Sequence, residues 1–265
     1  MLKRKSDLSI TDFQKHLKTS VLGNSVALFC SIGSTNTYTK EVSDFFPNGF
    51  TAISKEQTNG KGRRGKRFLS PKDKGLYMSI LLKDKNLTSD TFITVKACIA
   101  VCHAVESETG VSDVKIKWVN DLYFDDKKFC GILAESKILG EERSTVLGIG
   151  INITTDKYEY DSEYANRACS LSDFTENEIN VSRLAAKILN ELETVLLRND
   201  IQKNITEYRE RSMLVGRDIY ILDGEKQVEA KAIGIDDTAA LVVEYPSGKT
   251  GLITFGDVSI RVMQP

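Results

Sequence analysis

The segment QTNGKGRRGKRF, residues 57–68, restricts the possible folds more than any other part of the chain. Gly60, Gly62 and Gly65 match G-x-G-x-x-G, and Gly60 also begins G-x-x-x-x-G-K, but Arg67 stands where a P-loop needs Ser or Thr. Both nucleotide motifs require a helix directly afterwards, because its N-terminus binds the phosphates. The following residues, LSPKDKGLYMSILL, contain a proline, a glycine and a strand pattern instead. This context argues against a Rossmann or P-loop fold.

The basic character of the loop has two interpretations. The whole chain carries a net charge of −1, so the five basic residues of 57–68 form a local feature and no global field attracts nucleic acid or membrane. A solvated charged loop between two strands is one interpretation. A flexible loop that closes over a phosphate-bearing ligand is the other: glycines permit close backbone approach, and an anion relieves the repulsion among the basic side chains.

Strand and helix patterns divide the chain near Leu214. With 265 residues it is long enough for one large domain and a small one. After Gly216 the sequence becomes a series of short alternating strands with turns at 223–224, 236–237 and 247–248, which predicts a small antiparallel barrel. We therefore expect domains at residues 1–214 and 215–265.

Periodicity predicts the elements of the larger domain. The apolar patterns and helix caps predict helices at 9–20, 34–46, 89–109, 181–197 and 200–212. Strands are predicted at 25–30, 50–56, 75–82 and 145–153, together with a strand pair in 114–136 that turns at 125–126.

Targeting and redox signals are weak. No apolar run approaches the ~20 residues of a membrane span, and the start MLKRKSDLSI lacks the apolar region of a signal peptide. The five cysteines form no C-x-x-C pair, and the two histidines are isolated. These features predict a cytoplasmic protein with reduced thiols and no membrane partner.

Three further segments are candidates for a site. Ser34-Thr35-Asn36 begins a predicted helix, where hydroxyls and free backbone N–H groups either cap the helix or bind a small polar group. Lys117, in KWVND, lies on an otherwise apolar strand and either snorkels to the surface or faces a polar pocket. The strand GIGIN, residues 148–152, contains glycines of the kind that mark close approach by a ligand or another backbone.

In order and spacing these segments resemble the biotin protein ligases, that is, biotin–[acetyl-CoA-carboxylase] ligases. The family pattern is S-T-N, a Gln followed by G-R-G-R-R-G, K-W-P-N-D, G-I-L and G-x-G-x-N. This chain has Ser34-Thr35-Asn36, Gln57 with 60–65, Lys117-Trp118-Val119-Asn120-Asp121, Gly131-Ile132-Leu133 and 148–152. The resemblance covers residues 26–262 and implies an α+β fold: a mixed, largely antiparallel sheet flanked by helices, as in class II aminoacyl-tRNA synthetases, with a small C-terminal SH3-like β-barrel.

The resemblance also implies a chemistry and a set of site residues. ATP, with Mg²⁺, would activate biotin as biotinyl-5′-adenylate, and the biotinyl group would pass to a lysine of a biotin carboxyl carrier domain. The catalytic residues implied are Lys117 and Arg63. The biotin-binding residues implied are Ser34, Thr35, Asn36, Gln57, Gly60, Lys61, Gly62, Arg63, Lys117, Gly131 and Leu133. The ATP-binding residues implied are Arg63, Arg64, Phe68, Asn120 and Asn152, with Asp121 on the metal side.

Three positions depart from the family pattern. Lys61 stands in place of Arg and loses a planar fork for a carboxylate, Val119 replaces Pro, and Phe68 stands where Trp is common. These changes bear on biotin affinity and on stacking against adenine, and none removes a group that performs chemistry. If Lys61 or Val119 had disabled the site, the chain would have a purely structural role.

Two other functions, that of a lipoate ligase and that of a nucleic-acid-binding module, are alternatives to a biotin ligase. A lipoate ligase would share the fold, but its Arg-Arg-x-x-Gly-Gly-Gly loop is missing from the sequence. A nucleic-acid-binding module would need aromatic residues among the basic ones, and the loop has only Phe68 at its edge.

About 25 residues precede the first strand, too few for the N-terminal winged helix of the family's repressors, so we expect a short form without DNA binding. A homodimer through the sheet edge is expected only by resemblance.

Overall fold

The larger part of the molecule is built on a seven-stranded sheet. The computed structural model describes residues 8–83, 92–139, 142–160, 165–198, 200–254 and 258–263. The strands are β1 (Val26–Phe29), β2 (Thr51–Ser54), β3 (Gly75–Leu82), β4 (Lys115–Lys117), β5 (Asp121–Phe124), β6 (Lys127–Leu139) and β7 (Glu142–Asn152). Their order is β1-β2-β3-β7-β6-β5-β4. Among these strands β1 and β2 pair in parallel and the other neighbours are antiparallel, which confirms the predicted mixed, largely antiparallel sheet.

Five α-helices among the described residues cover this sheet. They are α1 (Ile10–His16), α2 (Thr35–Glu41), α3 (Ile93–Thr109), α4 (Val181–Leu197) and α5 (Ile201–Glu210). Helix α3 packs on β5, β6, α4 and α5, whereas α2 packs on β2, β3 and β7.

The central strand β3 is buried on both faces. Leu76, Met78, Ile80 and Leu82 belong to the main core, and Leu81 packs with Phe50 in a smaller core on the α2 face. Successive side chains of a strand point to opposite faces, so a strand covered on both sides needs the continuous apolar run GLYMSILL. This is why residues 75–82 were predicted with the observed bounds.

Two helices end four or five residues earlier than predicted, and α5 ends at Glu210 instead of residue 212. Helix α1 stops at His16 instead of continuing to residue 20, because Asn190 and Glu193 of α4 accept hydrogen bonds from the backbone N–H groups of 18 and 20–22. Helix α2 stops at Glu41 instead of continuing to residue 46, and Phe45 is 85% exposed. The start predicted for α3 at residue 89 lies outside the described residues.

The C-terminal part is a second, antiparallel sheet. Its strands are β8 (Asp218–Asp223), β9 (Lys226–Ile235), β10 (Leu241–Glu244), β11 (Thr250–Ile253) and β12 (Ser259–Val262), in the order β11-β10-β9-β8-β12. The three predicted turns join β8 to β9, β9 to β10 and β10 to β11. This confirms the predicted SH3-like β-barrel. The boundary at residue 214 stays a prediction.

The barrel lies next to the β4 end of the large sheet. Ile116 of β4 donates a backbone hydrogen bond to Arg211 O (2.8 Å) and accepts one from Met213 N (3.0 Å). The chain therefore pairs with β4 before it enters β8, and barrel residues such as Ile219 join the main core. Of the helices in the described ranges, none has the length and apolarity needed to cross a membrane.

Candidate active site

A single large cleft gathers the predicted site. It has a volume of about 1260 Å³ and extends from the start of α2, over β6 and β7, to the barrel strands β8 and β12. The residues predicted from the sequence that line it are Ser34, Thr35, Asn36, Gln57, Lys61, Gly62, Arg63, Arg64, Phe68, Lys117, Asn120, Asp121, Gly131, Leu133 and Asn152. Gly60 is not among the lining residues.

One end of the cleft is a buried polar pocket at the N-terminus of α2. Ser34 is the N-cap, and its hydroxyl accepts a hydrogen bond from Thr37 N. Gln57 Oε1 accepts from both the backbone N (2.9 Å) and Oγ1 (3.0 Å) of Thr35, and Gln57 Nε2 donates to Ser70 Oγ (2.9 Å). These neutral donors and acceptors are held rigidly, which suits a neutral polar ligand group.

Ser79 supports this pocket and was missed by the sequence analysis. Its hydroxyl lies on β3, with no exposed surface, 2.6 Å from Asn36 Oδ1 and 2.7 Å from Thr35 Oγ1. The Asn36 amide in turn donates to Glu135 Oε2 (3.0 Å). A lone serine in an apolar strand carries no local signal for this role. Its function follows from the register that places β3 beneath α2.

Glycines of β6 and β7 form the floor of the cleft. Gly131 pairs with Gly150 in register, and the Phe68 ring lies on both, so that a Cβ at Gly150 would stand 2.6 Å from the ring. A Cβ at Gly148 would collide with the Asn36 side-chain oxygen. The close approach predicted for this strand is therefore made, within the protein, by two side chains. Phe68, predicted on the nucleotide side, packs on the same floor as Gly131, which was predicted to bind biotin.

The basic loop folds as a small hairpin of its own. Phe68 N donates to Gly60 O (2.9 Å), Lys61 and Arg67 form a β-bridge, and Gly62 N donates to Lys66 O (2.7 Å). A Cβ at Gly60 would collide with the Phe68 carbonyl oxygen. The need for glycine at position 60 thus comes from the loop's own backbone.

Two arginines of this hairpin form hydrogen bonds with other parts of the cleft. Arg63 Nη1 donates to Asn120 Oδ1 at 3.0 Å, and Arg64 Nη1 donates to Ser259 Oγ of β12 at 3.2 Å. Burial lowers the pKa of the Arg63 guanidinium, and the Asp121 carboxylate opposes this shift. The loop is consequently attached to the β4–β5 break on one side and to the barrel on the other.

Lys117 ends β4 and faces the cleft. Its Nζ lies 3.5 Å from Tyr123 Oη and 5.4 Å from the centre of that ring. Burial lowers the pKa of the Lys117 ammonium. The charge of Asp121 raises this pKa, and the charges of Lys128, Arg167 and Arg261 lower it further. Of the two interpretations left open by the sequence, the polar pocket is the one observed.

The charge of the cleft is strongly positive. Among the described residues, two carboxylates, Asp121 and Asp126, line it. Ten basic side chains line it as well: Lys61, Arg63, Arg64, Lys66, Arg67, Lys117, Lys128, Arg167, Arg217 and Arg261. The last four were not predicted, because each stands in a separate segment without a motif. Such a concentration of cations around a partly enclosed space favours a polyanionic ligand.

Comparison with known proteins identifies this arrangement. The profile described as "Biotin/lipoate A/B protein ligase family" matches residues 28–152, and that described as "Biotin protein ligase C terminal domain" matches residues 215–261. The chain belongs to the biotin protein ligase family. The two matched regions contain the large sheet and the barrel that together enclose the cleft.

Individual relatives match this chain over most of its length. The bifunctional ligase/repressor BirA of Bacillus spizizenii is 28% identical over 255 residues, which are 94% of this chain and 78% of BirA. The biotin–[acetyl-CoA-carboxylase] ligase of Paracoccus denitrificans is 22% identical over 225 residues, 82% of this chain and 92% of that protein. The structure of the Aquifex aeolicus biotin protein ligase in complex with biotin and ATP superposes with a TM-score of 0.79 and 25% identity, covering 91% of this chain and 100% of that one.

A magnesium ion held by the ligase itself does not fit the described side chains. Asp121, predicted on the metal side, pairs instead with Lys128 Nζ at 2.6 Å. No group of three or more His, Cys, Asp or Glu side chains that could hold a metal occurs in the part of the chain that the structure describes. Mg²⁺ is commonly bound through one or two carboxylates together with substrate phosphates. The Mg²⁺ implied by the resemblance stays a prediction, and among the described side chains of the cleft Asp121 and Asp126 are the carboxylates that could contact it beside the ATP phosphates.

Proposed function

We propose that this chain is an ATP-dependent ligase that activates biotin as biotinyl-5′-adenylate and attaches it to a lysine of a biotin carboxyl carrier domain. The observation that carries the proposal is one cleft in which a neutral polar pocket opens onto the half-buried cations Lys117 and Arg63. Biotin has a neutral ureido ring at one end and a carboxylate at the other. The two ends of the cleft suit those two groups.

In the first half-reaction a biotin carboxylate oxygen attacks the α-phosphorus of ATP. A new P–O bond forms, the bond to the β-phosphate oxygen breaks, and pyrophosphate leaves. Both reactants are anionic, so the barrier falls when fixed cations stand where the negative charge concentrates. We assign this role to Lys117 and Arg63, with Lys61 and the Gly62 backbone on the carboxylate side. Mg²⁺ bound to ATP would neutralise the leaving pyrophosphate.

The neutral end of the cleft would hold the biotin ring. We assign the ureido contacts to Ser34, Thr35, Asn36 and Gln57, which are all at most 8% exposed and already fixed by hydrogen bonds. Gly131 and Leu133 would line the slot for the ring. Because these side chains are already ordered, they lose little conformational entropy when a ligand binds, which favours binding of a small ligand.

The nucleotide would lie toward the β5 and barrel side. We assign Arg64, Asn120 and Asn152 to this part, with Phe68 between the two ligands. Asn152 Nδ2 donates to Cys169 O (3.1 Å), and Asn120 accepts from Arg63, so both amides stand in fixed walls. The surplus of basic side chains there is the charge that a triphosphate requires.

In the second half-reaction the neutral amine of the carrier lysine attacks the carbonyl carbon of the adenylate. An amide forms, AMP leaves with its phosphate oxygen, and one proton is released. An acyl-adenylate hydrolyses readily, so the intermediate must be shielded from water until the carrier arrives. The hairpin 57–68, fastened through Arg63 and Arg64, is the element we assign to this shielding.

The test is direct modification of a carrier. The pure protein is mixed with biotin, Mg-ATP and an isolated biotin carrier domain that a known ligase modifies, and the carrier is weighed by intact mass spectrometry. We expect a gain of one biotinyl group with the wild type and none with Lys117→Ala. Lys115→Ala is the matched control: Lys115 lies on the same strand, pairs with Asp113 at 2.6 Å and does not line the cleft.

Other results of the same assay decide between functions. A lipoyl gain with lipoate in place of biotin would make the chain a lipoate ligase, which the Biotin/lipoate profile also includes. No gain with either acid would refute the ligase proposal, and a mobility shift with single-stranded nucleic acid would then favour the binding module.

The biological setting is part of the proposal. The five cysteines are free thiols, four of them buried, as expected in a reducing compartment such as the cytoplasm. The carrier domain is the proposed protein partner. The homodimer through the sheet edge and the expectation of no operator binding stay predictions.

A further inference from the structure

A turn of the C-terminal barrel reaches the chain next to Lys117. Trp118 Nε1 donates a 2.9 Å hydrogen bond to Ala239 O, in the turn between β9 and β10. Trp118 is 5% exposed and Ala239 is fully buried, so water does not compete for this bond. The residue after the catalytic lysine is thus tied to a separate sheet, 121 residues further along the chain.

The turn at 236–240 is built to hold that carbonyl in place. Ala239 adopts a left-handed backbone conformation, with φ +62°, which a non-glycine residue adopts only when its surroundings enforce it. The enforcement comes from Asp236, whose Oδ1 accepts hydrogen bonds from Thr238 N (2.9 Å), Thr238 Oγ1 (2.7 Å) and Ala240 N (2.9 Å). One carboxylate oxygen therefore fixes the conformation of the whole turn.

Helix α5 holds both partners of this contact. Arg209 donates from Nε to Ile235 O (2.5 Å) and from Nη2 to Asp237 Oδ1 (2.6 Å), which secures the turn. The preceding residue, Tyr208, donates its hydroxyl hydrogen to Val119 O (2.9 Å), which secures the Val119–Asn120 peptide. Consecutive residues of one helix thus set the distance between the turn and the β4–β5 break.

We infer that the turn at 236–240, acting through Trp118, positions Lys117 and Asn120 for the adenylation step. This rests on the proposed function. Trp118 lies between Lys117 and the segment that leads to Asn120, the residue that holds Arg63. A change in the indole position therefore moves both catalytic cations relative to each other. The barrel is by this argument a part of the adenylation machinery, in which Trp118 and Asp236 are positioning residues.

The expected loss of adenylation rate follows from the geometry of the attack on the α-phosphorus. Small displacements of positioning groups reduce rates by large factors, because the attacking oxygen and the phosphorus must be aligned. Loss of one buried hydrogen bond is expected to lower the adenylation rate about tenfold. Transfer from preformed adenylate depends on binding the carrier and on the leaving AMP, so it should change by less than about twofold.

The experiment compares four variants in two half-reactions. Trp118→Phe removes the indole N–H and keeps an aromatic ring. Asp236→Ala removes the acceptor that fixes the turn, and Asp236→Asn retains an Oδ1 that accepts the same hydrogen bonds. Ser247→Ala, in the exposed turn between β10 and β11, is the control. Biotin-dependent pyrophosphate release, biotin Kd and transfer from synthetic biotinyl-5′-adenylate are measured, together with Tm.

Three outcomes have distinct meanings. We expect Trp118→Phe and Asp236→Ala to lower kcat for pyrophosphate release about tenfold with biotin Kd within twofold, and Asp236→Asn and Ser247→Ala to remain near wild type. Equal losses in both half-reactions, or losses that follow Tm alone, would overturn the positioning role. A wild type that releases no pyrophosphate with biotin would instead refute the proposed function itself.

Discussion

Arg63 Nη1 donates a hydrogen bond to Asn120 Oδ1 at 3.0 Å, and the two residues are 57 positions apart in sequence. The bond joins the glycine-rich hairpin to the break between β4 and β5, where Lys117 ends its strand. Asn120 is itself held because its side-chain amide donates to Ile132 O and its backbone oxygen accepts from Ile132 N. The hairpin is therefore attached to the sheet by a side chain that also carries the positive charge of the site.

Replacing Arg63 should release the intermediate. Arg63→Gly removes both the hydrogen bond to Asn120 and a cation, so we expect biotinyl-5′-adenylate to leave the cleft at least about tenfold faster, since a charge-assisted bond contributes roughly 1.5–3 kcal/mol. The released adenylate would biotinylate lysines of bystander proteins. Mass spectrometry of a bystander such as serum albumin, and quantification of free adenylate, measure this.

The matched control for that variant is Lys72→Gly, which removes an exposed positive charge between the hairpin and β3. It should leave carrier specificity unchanged. An Arg63→Gly protein that labels only the carrier, at normal speed, would contradict the shielding role of the hairpin.

The pH dependence of adenylation should report Lys117. Burial lowers the pKa of this ammonium, so its charge is lost at a lower pH than that of an ordinary lysine, for which the pKa is about 10.4. The rate of pyrophosphate release should therefore fall on the alkaline side before ordinary lysines titrate. Lys117→Arg should be slower but retain its charge across this range, because a guanidinium does not titrate there.

Rate profiles of both proteins from pH 7 upward test this prediction. Lys115→Ala serves as the reference, since Lys115 lies outside the cleft. An identical alkaline limb in Lys117→Arg would assign the titration to another group.

Gly148 should not tolerate a side chain. A Cβ there would collide with the Asn36 side-chain oxygen, which Ser79 holds by a 2.6 Å hydrogen bond. We expect Gly148→Ala to lower the free energy of unfolding by about 1–3 kcal/mol through overpacking and to weaken biotin binding, because Asn36 must move. Urea unfolding and calorimetric titration with biotin measure the two effects.

Gly234→Ala is the internal comparison for Gly148→Ala. Gly234 is also a strand glycine, in β9, but a Cβ there meets its nearest atom only at 3.9 Å. This variant should stay within about 0.5 kcal/mol of wild type. If both alanine variants lose similar stability, the collision with Asn36 is not the cause.

The stability of the helical layer should depend on pH through His103. This residue of α3 lies 2.6 Å from Glu207 of α5 and 3.4 Å from Glu191 of α4. The hydrogen bond with Glu207 raises the pKa of the imidazole, although burial opposes it, and the same bond lowers the pKa of Glu207. The stabilisation is thus fully present below the ordinary histidine pKa of about 6.5 and is lost as pH rises through the raised value.

Tm measured between pH 6 and 9 checks this sign. The decline with rising pH should be smaller in His103→Gln than in wild type. His16→Gln is the control, since His16 stands on the short helix α1, 3.7 Å from Asp12. A wild-type decline that persists unchanged in His103→Gln would exclude this histidine as the source.

The sequence anticipated elements that depend on local pattern. Helix α4 was predicted at its observed bounds because its apolar positions recur at helical spacing and Asn180 caps it. The sequence could not anticipate that Glu193 of α4 would accept hydrogen bonds from the backbone after α1 and so end α1 early. Phe68 was assigned by analogy, and only the fold could reveal that its ring rests on two glycines.

Some properties of the site also follow from the sequence, and others depend on the tertiary structure. The amino-acid sequence by itself determined the family motifs, the basic hairpin, the sheet-rich architecture and the terminal barrel, because these follow from short-range pattern and residue type. The tertiary structure decided which cations share one cleft, that Lys117 faces it, that Asp121 pairs with Lys128, and that Trp118 is held by a barrel turn. The physical reason is that strand register and the packing of distant segments set these distances, and neither is encoded in the spacing of any one motif.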